Sequence, residues 1–236
     1  MFVLLYNRFY SDKSQHTSDQ IILRLNMKCS LLVTILFLLS VQRTDGSGRS
    51  FSIDPANKTF VRNGEAHRYI SGSIHYFRVL PGSWRDRLQK LRLAGANTVQ
   101  TYVEWADHEP QPGNFVFSGQ RDIFSFISTA QDLGLDVILR PGPFIDAERD
   151  FGGLAPWLLK KKDIKLRTND KYYMERVTIW FTKLFTVLRP LLFKNGGPIT
   201  MIQIENEYGS FALQTGHKDI HYLTALRDLV RRLVMT

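Results

Sequence analysis

Cysteine is nearly missing from this chain: a single one, Cys29, occurs in 236 residues. One thiol cannot close an intramolecular disulfide, so the chain is not one of the small folds that disulfides hold together. Cys29 lies in an apolar segment near the N-terminus, and removal of that segment would leave no thiol for nucleophilic chemistry. The chain is 44% hydrophobic and 12% aromatic, which is enough for a sizeable globular core.

Long apolar runs are missing as well. The most apolar stretch, 31–39, is shorter than the about 20 residues that a transmembrane helix needs, although a membrane anchor is the alternative interpretation. Lys28 stands before this stretch and small residues follow it, which is the layout of a signal peptide. We therefore predict a signal peptide over 27–46, preceded by an upstream extension of doubtful status (1–26), with Met27 as the candidate start.

A signal peptide places the chain in the secretory pathway. We expect a lysosomal, vacuolar or extracellular protein that keeps no stable membrane anchor once the signal is removed. In that pathway the triplet Asn57-Lys58-Thr59 is a glycosylation sequon, and Asn57 is the predicted acceptor.

The net charge of +9 is dispersed, since the only tight basic run is Lys160-Lys161-Lys162. A nucleic-acid partner is therefore not expected. No Gly-x-Gly-x-x-Gly follows the first predicted strand, and Ser73 is not in a Gly-x-Ser-x-Gly elbow, which argues against a dinucleotide cofactor and a serine hydrolase. Neither His75 nor His108 has a second histidine or a cysteine one helical turn further on, so both are assigned hydrogen-bonding roles, with no metal and no cofactor.

Apolar strands alternate with amphipathic helices from about residue 66 onwards. The pattern predicts strands at 67–76, 97–103, 135–139 and 199–204 and helices at 84–94, 124–130, 170–193 and 218–234, with Ser83 as the N-cap of the first helix. This alternation is typical of a parallel sheet covered by helices. Both a doubly wound sheet and a (β/α)8 barrel fit it.

Polar and aromatic side chains cluster just after each predicted strand. In chain order they are Ser73, His75 and Tyr76; Tyr102, Glu104, Trp105, His108 and Glu109; Arg140, Asp146, Glu148, Arg149 and Asp150; and Glu205, Asn206, Glu207 and Tyr208. A barrel builds its active site at this C-terminal face of the sheet, which favours the barrel. Aromatic rings, amides and carboxylates together are suited to a sugar, and glycoside hydrolysis needs two carboxyl groups.

Several short motifs stand in a fixed order between about residues 50 and 235. They are Ile74-His75-Tyr76, Thr101-Tyr102-Val103-Glu104-Trp105, His108-Glu109-Pro110, Leu139-Arg140-Pro141-Gly142-Pro143-Phe144-Ile145, Ala147-Glu148, Gly152-Gly153-Leu154, Trp157-Leu158-Leu159, Gly196-Gly197-Pro198 and Gln203-Ile204-Glu205-Asn206-Glu207-Tyr208-Gly209. In sequence and spacing they resemble the β-galactosidases of glycoside hydrolase family thirty-five. The resemblance implies an α/β fold, a (β/α)8 TIM barrel of which only about the first four βα units are present. Residues 47–236 would then form the N-terminal half of the catalytic barrel.

The resemblance also implies roles for individual residues. Glu207 matches the acid/base carboxyl of these enzymes, and Asn206 matches a residue that binds the region of the sugar's 2-hydroxyl. Tyr102 and Glu148 match residues that hold galactose hydroxyls, with Ala147 beside them. The nucleophile of these enzymes is a glutamate near the seventh strand, which the resemblance places after the last residue of this chain.

Two positions depart from the family pattern. Asp146 stands where cysteine is common, and Arg149 stands where tryptophan is frequent. An acidic residue beside Glu148 changes the charge of the sugar pocket, so the inference about the substrate is weaker at this point.

Some residues near the motifs are assigned structural roles. Glu205 is expected to pair with Arg140 in the barrel interior rather than to take part in chemistry. Trp105 fits the site and the core equally well, whereas Trp84 and Trp180 are assigned to the core.

The sequence thus predicts retaining hydrolysis of terminal non-reducing β-D-galactose residues, with a β-galactoside as the partner and a homo-oligomer as an open option. The alternative is a truncated, non-catalytic sugar-binding fragment or pseudoenzyme that lacks the nucleophile. A different barrel glycosidase, such as a β-mannanase or β-glucosidase, would share Asn206 and Glu207 but not the other motifs. The chain alone is expected to be inactive and to associate through open sheet edges.

Overall fold

The computed structural model describes residues 48–216 and 218–235. The predicted signal peptide (27–46) and the upstream extension (1–26) lie outside the described residues, so both stay predictions. Within the described ranges, no helix is long and apolar enough to cross a membrane.

The described chain begins with a small antiparallel sheet that the sequence pattern did not predict. Its strands are β1 (Phe51–Asp54), β2 (Thr59–Arg62) and β3 (Glu65–His67), paired in the order β1-β2-β3. A two-residue turn, Asn63-Gly64, joins β2 to β3, and both turn residues have positive φ (52° and 87°). Asn-Gly is the sequence typical of such a hairpin turn, because both positions need the left-handed conformation.

A four-stranded parallel sheet follows. Its strands are β4 (Ser71–Ser73), β5 (Thr98–Tyr102), β6 (Asp136–Gly142) and β7 (Ile199–Ile204), and they pair in chain order. The prediction of a parallel sheet is therefore confirmed. The first predicted strand was too long, because its start lies in β3 and its end forms a 3-10 turn at Tyr76–Arg78.

Helices connect the parallel strands. They are α1 (Trp84–Leu93), α2 (Trp105–His108), α3 (Ile123–Asp132), α4 (Lys171–Leu188), α5 (Tyr208–Thr215) and α6 (Ile220–Met235). The four longest were predicted, whereas α2 and α5 were not. Asp122 and Asp170 cap α3 and α4 by accepting the backbone N–H three residues on, each at 2.9 Å. Ser83 stands at the N-cap position of α1 as predicted, but its side chain makes no capping hydrogen bond.

The core lies between the parallel sheet and the helices. Trp105 and Trp180 are fully buried and stack with ring centroids 6.3 Å apart. Trp157 meets Trp105 edge-on at 5.9 Å, and Trp84 meets Phe126 in the same way at 5.7 Å. Trp84 and Trp180 are core residues as predicted, and Trp105 belongs to the core as well.

A buried tyrosine–histidine pair lies in this core. Tyr76 Oη is 2.6 Å from His108 Nε2, and His108 Nδ1 is 2.7 Å from the carbonyl oxygen of Val116. Because a carbonyl only accepts, Nδ1 carries the ring proton and Nε2 accepts from the tyrosine hydroxyl. Burial lowers the pKa of His108 to about 4, so the ring is neutral at mildly acidic pH.

We expect this pair to weaken the fold in acid. An unfolded histidine takes up a proton near pH 6.5 and folded His108 only near pH 4, so the free energy of unfolding falls as the pH drops through that window. The loss due to His108 is about 3 kcal/mol. Urea unfolding of wild type and His108→Gln, near neutrality and at pH 4, measures it. Glutamine keeps a donor and an acceptor but does not titrate, so an equal loss in both proteins would contradict the assignment.

Candidate active site

The C-terminal ends of the parallel strands supply the candidate site. Tyr102 is the last residue of β5, and Arg140 lies near the end of β6. Asn206 and Glu207 follow β7, and His75 follows β4. Because parallel strands end at the same edge of a sheet, these residues come together at one rim.

A tyrosine–arginine–asparagine contact forms the centre of this rim. Tyr102 Oη donates to Asn206 Oδ1 at 3.2 Å, and Arg140 Nη2 donates to the same oxygen at 2.5 Å. The Arg140 guanidinium lies 4.0 Å from the centroid of the Tyr102 ring. Since arginine only donates, the amide oxygen must face it, and the Asn206 Nδ2 donor is directed away from Arg140.

The Tyr102 hydroxyl keeps its proton. Burial raises its pKa; Arg140 lowers it, and the carboxylates of Asp146, Glu207 and Glu148 raise it again. The phenol is therefore a hydrogen-bond donor at neutral and acidic pH. The three carboxylates thus lie within electrostatic range of the tyrosine.

Glu207 presents an exposed carboxylate at this rim. It stands immediately before α5 in a left-handed conformation, with φ of 48°. Burial lowers the pKa of Arg140, while Tyr102 and Glu207 raise it, so Glu207 lies within electrostatic range of both Arg140 and Tyr102. The Arg140 guanidinium stays positively charged, and this charge attracts the Glu207 carboxylate.

The loop after β6 brings the other two predicted sugar-binding residues. Asp146, Ala147 and Glu148 are consecutive left-handed residues, with φ of 56°, 54° and 45°. Arg78 donates to the Ala147 carbonyl oxygen and forms an ion pair with Glu148, with Nη2 and Oε2 2.5 Å apart. Ala147 is buried, whereas the Glu148 side chain is 84% exposed. Both residues are thus linked to the segment after β4 through Arg78.

The two atypical positions differ in environment. Arg149 pairs with Glu104, with Nε and Oε2 2.6 Å apart, while Asp146 is exposed. Glu104 follows β5 and is buried; burial raises its pKa and Arg149 lowers it. Arg149 therefore neutralises a carboxylate beneath the rim, a role that tryptophan cannot perform.

The predicted pair between Glu205 and Arg140 does not form. Glu205 is buried and binds Arg167, with Nη2 and Oε2 2.6 Å apart, and it also accepts from Tyr222 Oη at 2.5 Å. Arg140 instead holds Asn206. The prediction failed because Glu205 has a φ of 60°, so β7 ends before it and the alternation of a regular strand does not reach this residue. Its structural role is nevertheless as predicted.

His75 lies in the wall of the site. Its ring stacks on Phe77 and meets Tyr102, with centroids 5.5 and 4.8 Å away, and its Nδ1 lies 3.4 Å from the Tyr102 backbone nitrogen, which donates to it. Burial, together with the charges of Arg78 and Arg140, lowers the pKa of His75 to about 4. The imidazole is thus neutral, as its predicted hydrogen-bonding role requires.

Glu109 is excluded from the rim by its contacts. Its carboxylate accepts from Trp105 Nε1 at 2.6 Å and from the Gly113 backbone at 2.8 Å, and it is almost fully buried. Of the carboxylates after β5, neither Glu104 nor Glu109 is free to act on a ligand.

A match to a family model identifies the protein family of the chain that carries this rim. The model described as glycosyl hydrolases family 35 matches residues 59–236, which include the parallel sheet and every residue of the rim. The chain belongs to glycosyl hydrolase family 35. The family resemblance drawn from the sequence motifs is thereby confirmed.

The family 35 relatives are much longer than this chain. The β-galactosidase of Bos taurus is 52% identical over 181 residues, which cover 77% of this chain and 28% of the relative. The β-galactosidase of Homo sapiens is 48% identical over 182 residues (76% and 27%), and the β-galactosidase-1-like protein of Mus musculus is 45% identical over 205 residues (87% and 31%). The chain spans less than a third of the length of these relatives.

Solved structures share the fold at low sequence identity. An exo-β-1,4-mannosidase, Op5Man5 from Opitutaceae bacterium strain TAV5, aligns with a TM-score of 0.61 at 17% identity over 80% of this chain and 33% of its own. A GH5_18 protein from Streptomyces cattleya in complex with GlcNAc aligns with a TM-score of 0.56 at 16% identity over 72% and 43%. At such identity the likeness concerns the α/β fold with its parallel sheet.

Proposed function

We propose that this chain carries the acid/base half of the active site of a retaining β-galactosidase. Membership of family 35, with about half of the residues shared with curated β-galactosidases, supports the substrate class. The observation that carries the proposal is the rim itself: an exposed Glu207 beside an Asn206 that Arg140 and Tyr102 hold in one orientation.

In the first step, Glu207 donates its proton to the glycosidic oxygen while the bond from that oxygen to the anomeric carbon breaks. A second carboxylate forms a bond to the same carbon, giving a glycosyl-enzyme, and the aglycone leaves as an alcohol. In the second step, Glu207 takes a proton from water, the water oxygen attacks the anomeric carbon, and the second carboxylate is released. We propose that this second carboxylate is a glutamate following a later barrel strand.

The remaining predicted site residues bind the sugar in this proposal. The Asn206 Nδ2 donor faces the region of the 2-hydroxyl, because its amide oxygen is already held by Tyr102 and Arg140. Glu148 accepts from galactose hydroxyls, and Ala147 lines the pocket beside it. The Arg78 contacts to both support this assignment, because they fix a loop whose consecutive left-handed residues are each costly by roughly 1–3 kcal/mol.

We propose that the parallel sheet is the first half of a (β/α)8 TIM barrel. Among the residues that the structure describes, β4 and β7 are the edge strands. A groove along β7 is lined by the apolar side chains of Phe193, Ile199, Ile202, Ile204, Val230 and Val234, together with the basic residues Arg49, Lys194, Arg227 and Arg231. A further parallel strand and helix would pair with β7 and cover these side chains, as barrel closure requires.

We further propose a secretory protein of the lysosome or extracellular space. The layout of the segment over 27–46 supports this. Asn57, in the exposed turn between β1 and β2, is a sterically open acceptor for glycosylation, although its amide nitrogen donates to Asp54 Oδ2 at 2.7 Å and must leave that contact.

Hydrolysis tests the function directly. The protein, expressed from its complete coding sequence, is assayed with nitrophenyl β-galactoside, β-mannoside, β-glucoside and α-galactoside, and the anomer released first is identified by proton NMR. We expect turnover of the β-galactoside alone, with β-galactose as the first product. Faster turnover of the β-mannoside or an α-anomer as first product would overturn the proposal, and galactose binding without turnover would support the non-catalytic alternative.

A further inference from the structure

Arg167 is a buried arginine that lies outside the strand ends. It precedes α4, is 6% exposed and has a φ of 56°. Its guanidinium donates to both carboxylate oxygens of Glu205, from Nε at 3.3 Å and from Nη2 at 2.6 Å. Nη2 also donates to the backbone carbonyl oxygen of Asn206 at 2.6 Å. One side chain thus binds the two residues that come directly before Glu207.

Aromatic rings hold the same guanidinium. Its carbon lies 3.9 Å from the centroid of the Phe144 ring and 4.3 Å from that of the Phe211 ring. Phe144 belongs to the loop after β6 and Phe211 to α5. The Phe144 ring rests on Gly152, where an added Cβ would collide with it. Arg167 therefore joins the loops after β6 and β7 and the helix that follows Glu207.

The hydrogen bonds of Glu205 complete this connection. Besides Arg167, its carboxylate accepts from Tyr222 Oη at 2.5 Å and from the Asn206 backbone nitrogen at 2.9 Å. Tyr208 Oη in turn donates to the Arg167 carbonyl oxygen at 3.1 Å. A buried carboxylate with this many donors is held in one place.

The segment that Arg167 binds is in a conformation that needs such support. Glu205 and Glu207 have φ of 60° and 48°, a left-handed conformation that costs a residue with a side chain about 1–2 kcal/mol. The direction of the Glu207 side chain depends on these two backbone positions. Loss of the Arg167 contacts would let both relax.

We propose that Arg167 is the positioning residue of this active site: it fixes the left-handed Glu205–Glu207 segment and thereby aims the Glu207 carboxylate and the Asn206 amide at the substrate. This inference rests on the proposed function for its kinetic consequence. The structural part, that Arg167 sets the conformation of 205–207, stands independently of any activity.

Kinetics of Arg167→Met and Arg167→Lys test the catalytic part. A misplaced acid/base costs about 100-fold in turnover, so kcat of Arg167→Met, per folded molecule, should fall by about that factor. KM should change much less, and substrates with activated leaving groups should lose less than alkyl galactosides. Arg167→Lys keeps the charge but not the planar fork, and we expect it to restore kcat only in part.

Arg62→Met is the matched control. Arg62 also pairs with a carboxylate, Asp136, with Nε and Oδ2 3.1 Å apart, but at the start of β6, the opposite end of the sheet. It should leave kcat per folded molecule unchanged. If Arg167→Met does not fold, the double variant Arg167→Met/Glu205→Gln takes its place in every assay. The double variant removes both charges of the buried pair together. Equal kcat in the Arg167 and Arg62 variants would overturn the proposal.

Amide hydrogen exchange separates this inference from the proposed function. In Arg167→Met the protection of the Glu205, Asn206 and Phe211 amides should fall, while that of β4 and β5 stays as in wild type. In wild type these three amides donate to the Gly142 carbonyl oxygen, the Glu205 carboxylate and the Glu207 carbonyl oxygen. If the wild type hydrolyses no β-galactoside, the proposed function fails and the exchange result still decides on Arg167. Wild-type protection of the Glu205, Asn206 and Phe211 amides in the variant would refute the positioning role whatever the activity.

Discussion

Glu207→Gln should lower the turnover of alkyl β-galactosides by about 100- to 10,000-fold, because proton transfer to the leaving oxygen is lost. Glutamine is the same size as glutamate and keeps one acceptor, so the substrate should still bind with a similar KM. For dinitrophenyl galactosides, whose leaving group needs no proton, the first step should be nearly unaffected. Steady-state and burst kinetics on both substrates measure this difference.

Azide provides the second part of this test. Once the glycosyl-enzyme has formed, water needs Glu207 as a base, whereas azide attacks without one. Adding azide to Glu207→Gln should therefore accelerate dinitrophenyl galactoside turnover and yield a galactosyl azide of β configuration.

Glu65→Gln is the control for this substitution, since Glu65 is an exposed glutamate on β3, in the separate antiparallel sheet. It should behave as wild type in every assay. Near-normal turnover of an alkyl galactoside by Glu207→Gln would show that another group is the acid. Asp146 and Glu148, which follow β6 and act on the same Tyr102, would then be the next candidates.

The parallel sheet could be predicted from the sequence because its strands are apolar and bounded by turns. β5 and β7 differ from prediction by two residues or fewer at either end. The antiparallel strands before it have four, four and three residues, and such short strands give no clear alternation. Only the Asn63-Gly64 turn signalled them. α2 and α5 were missed because they are single or double turns that follow directly on strand ends.

For the candidate site, the strand ends could be predicted but the partners could not. Placing Tyr102, Asn206 and Glu207 at one edge needs only strand direction, which the sequence pattern supplies. Arg167 lies in an irregular stretch between Lys160 and α4, where no periodicity marks it. Its pairing with Glu205 depends on left-handed backbone at both residues, and nothing in the local sequence indicates that conformation outside glycine or asparagine.

The sequence pattern also led to a wrong prediction of which arginine binds which acceptor. Arg140 was the expected partner for Glu205 because the sequence pattern places both just after neighbouring predicted strands. In the structure, Arg167 binds the Glu205 carboxylate, and Arg140 donates to the side-chain oxygen of Asn206. As a result, two separate arginines hold two consecutive residues, one through a side-chain amide and one through a carboxylate and a carbonyl. The rim therefore keeps its geometry even though its central segment is not a regular strand.

Asn206→Ala should have the second largest effect, a loss of roughly 100- to 1,000-fold in kcat on galactosides. A donor to the 2-hydroxyl strengthens as the oxocarbenium-like transition state forms, so its removal acts on turnover more than on binding. The substitution also frees Tyr102 and Arg140 from their shared acceptor. Tyr102→Phe removes only one of the two hydrogen bonds to Asn206 and should lower kcat about tenfold, the effect expected from the loss of one hydrogen bond.

A 2-deoxygalactoside separates the two consequences of Asn206→Ala. If Nδ2 acts on the 2-hydroxyl, wild type should turn over the 2-deoxygalactoside as slowly as Asn206→Ala turns over the galactoside. Removing both the Asn206 amide and the 2-hydroxyl should then lower kcat little more than removing one of them. Asn195 provides the control: it is an exposed asparagine before β7, and its side-chain amide donates to the Arg189 carbonyl oxygen. The variants Asn195→Asp and Asn195→Ala report general damage to the protein and should match wild type. An Asn206→Ala protein that loses equally on both substrates would mean that Asn206 acts only through Arg140 and Tyr102, and that another group reads the 2-hydroxyl.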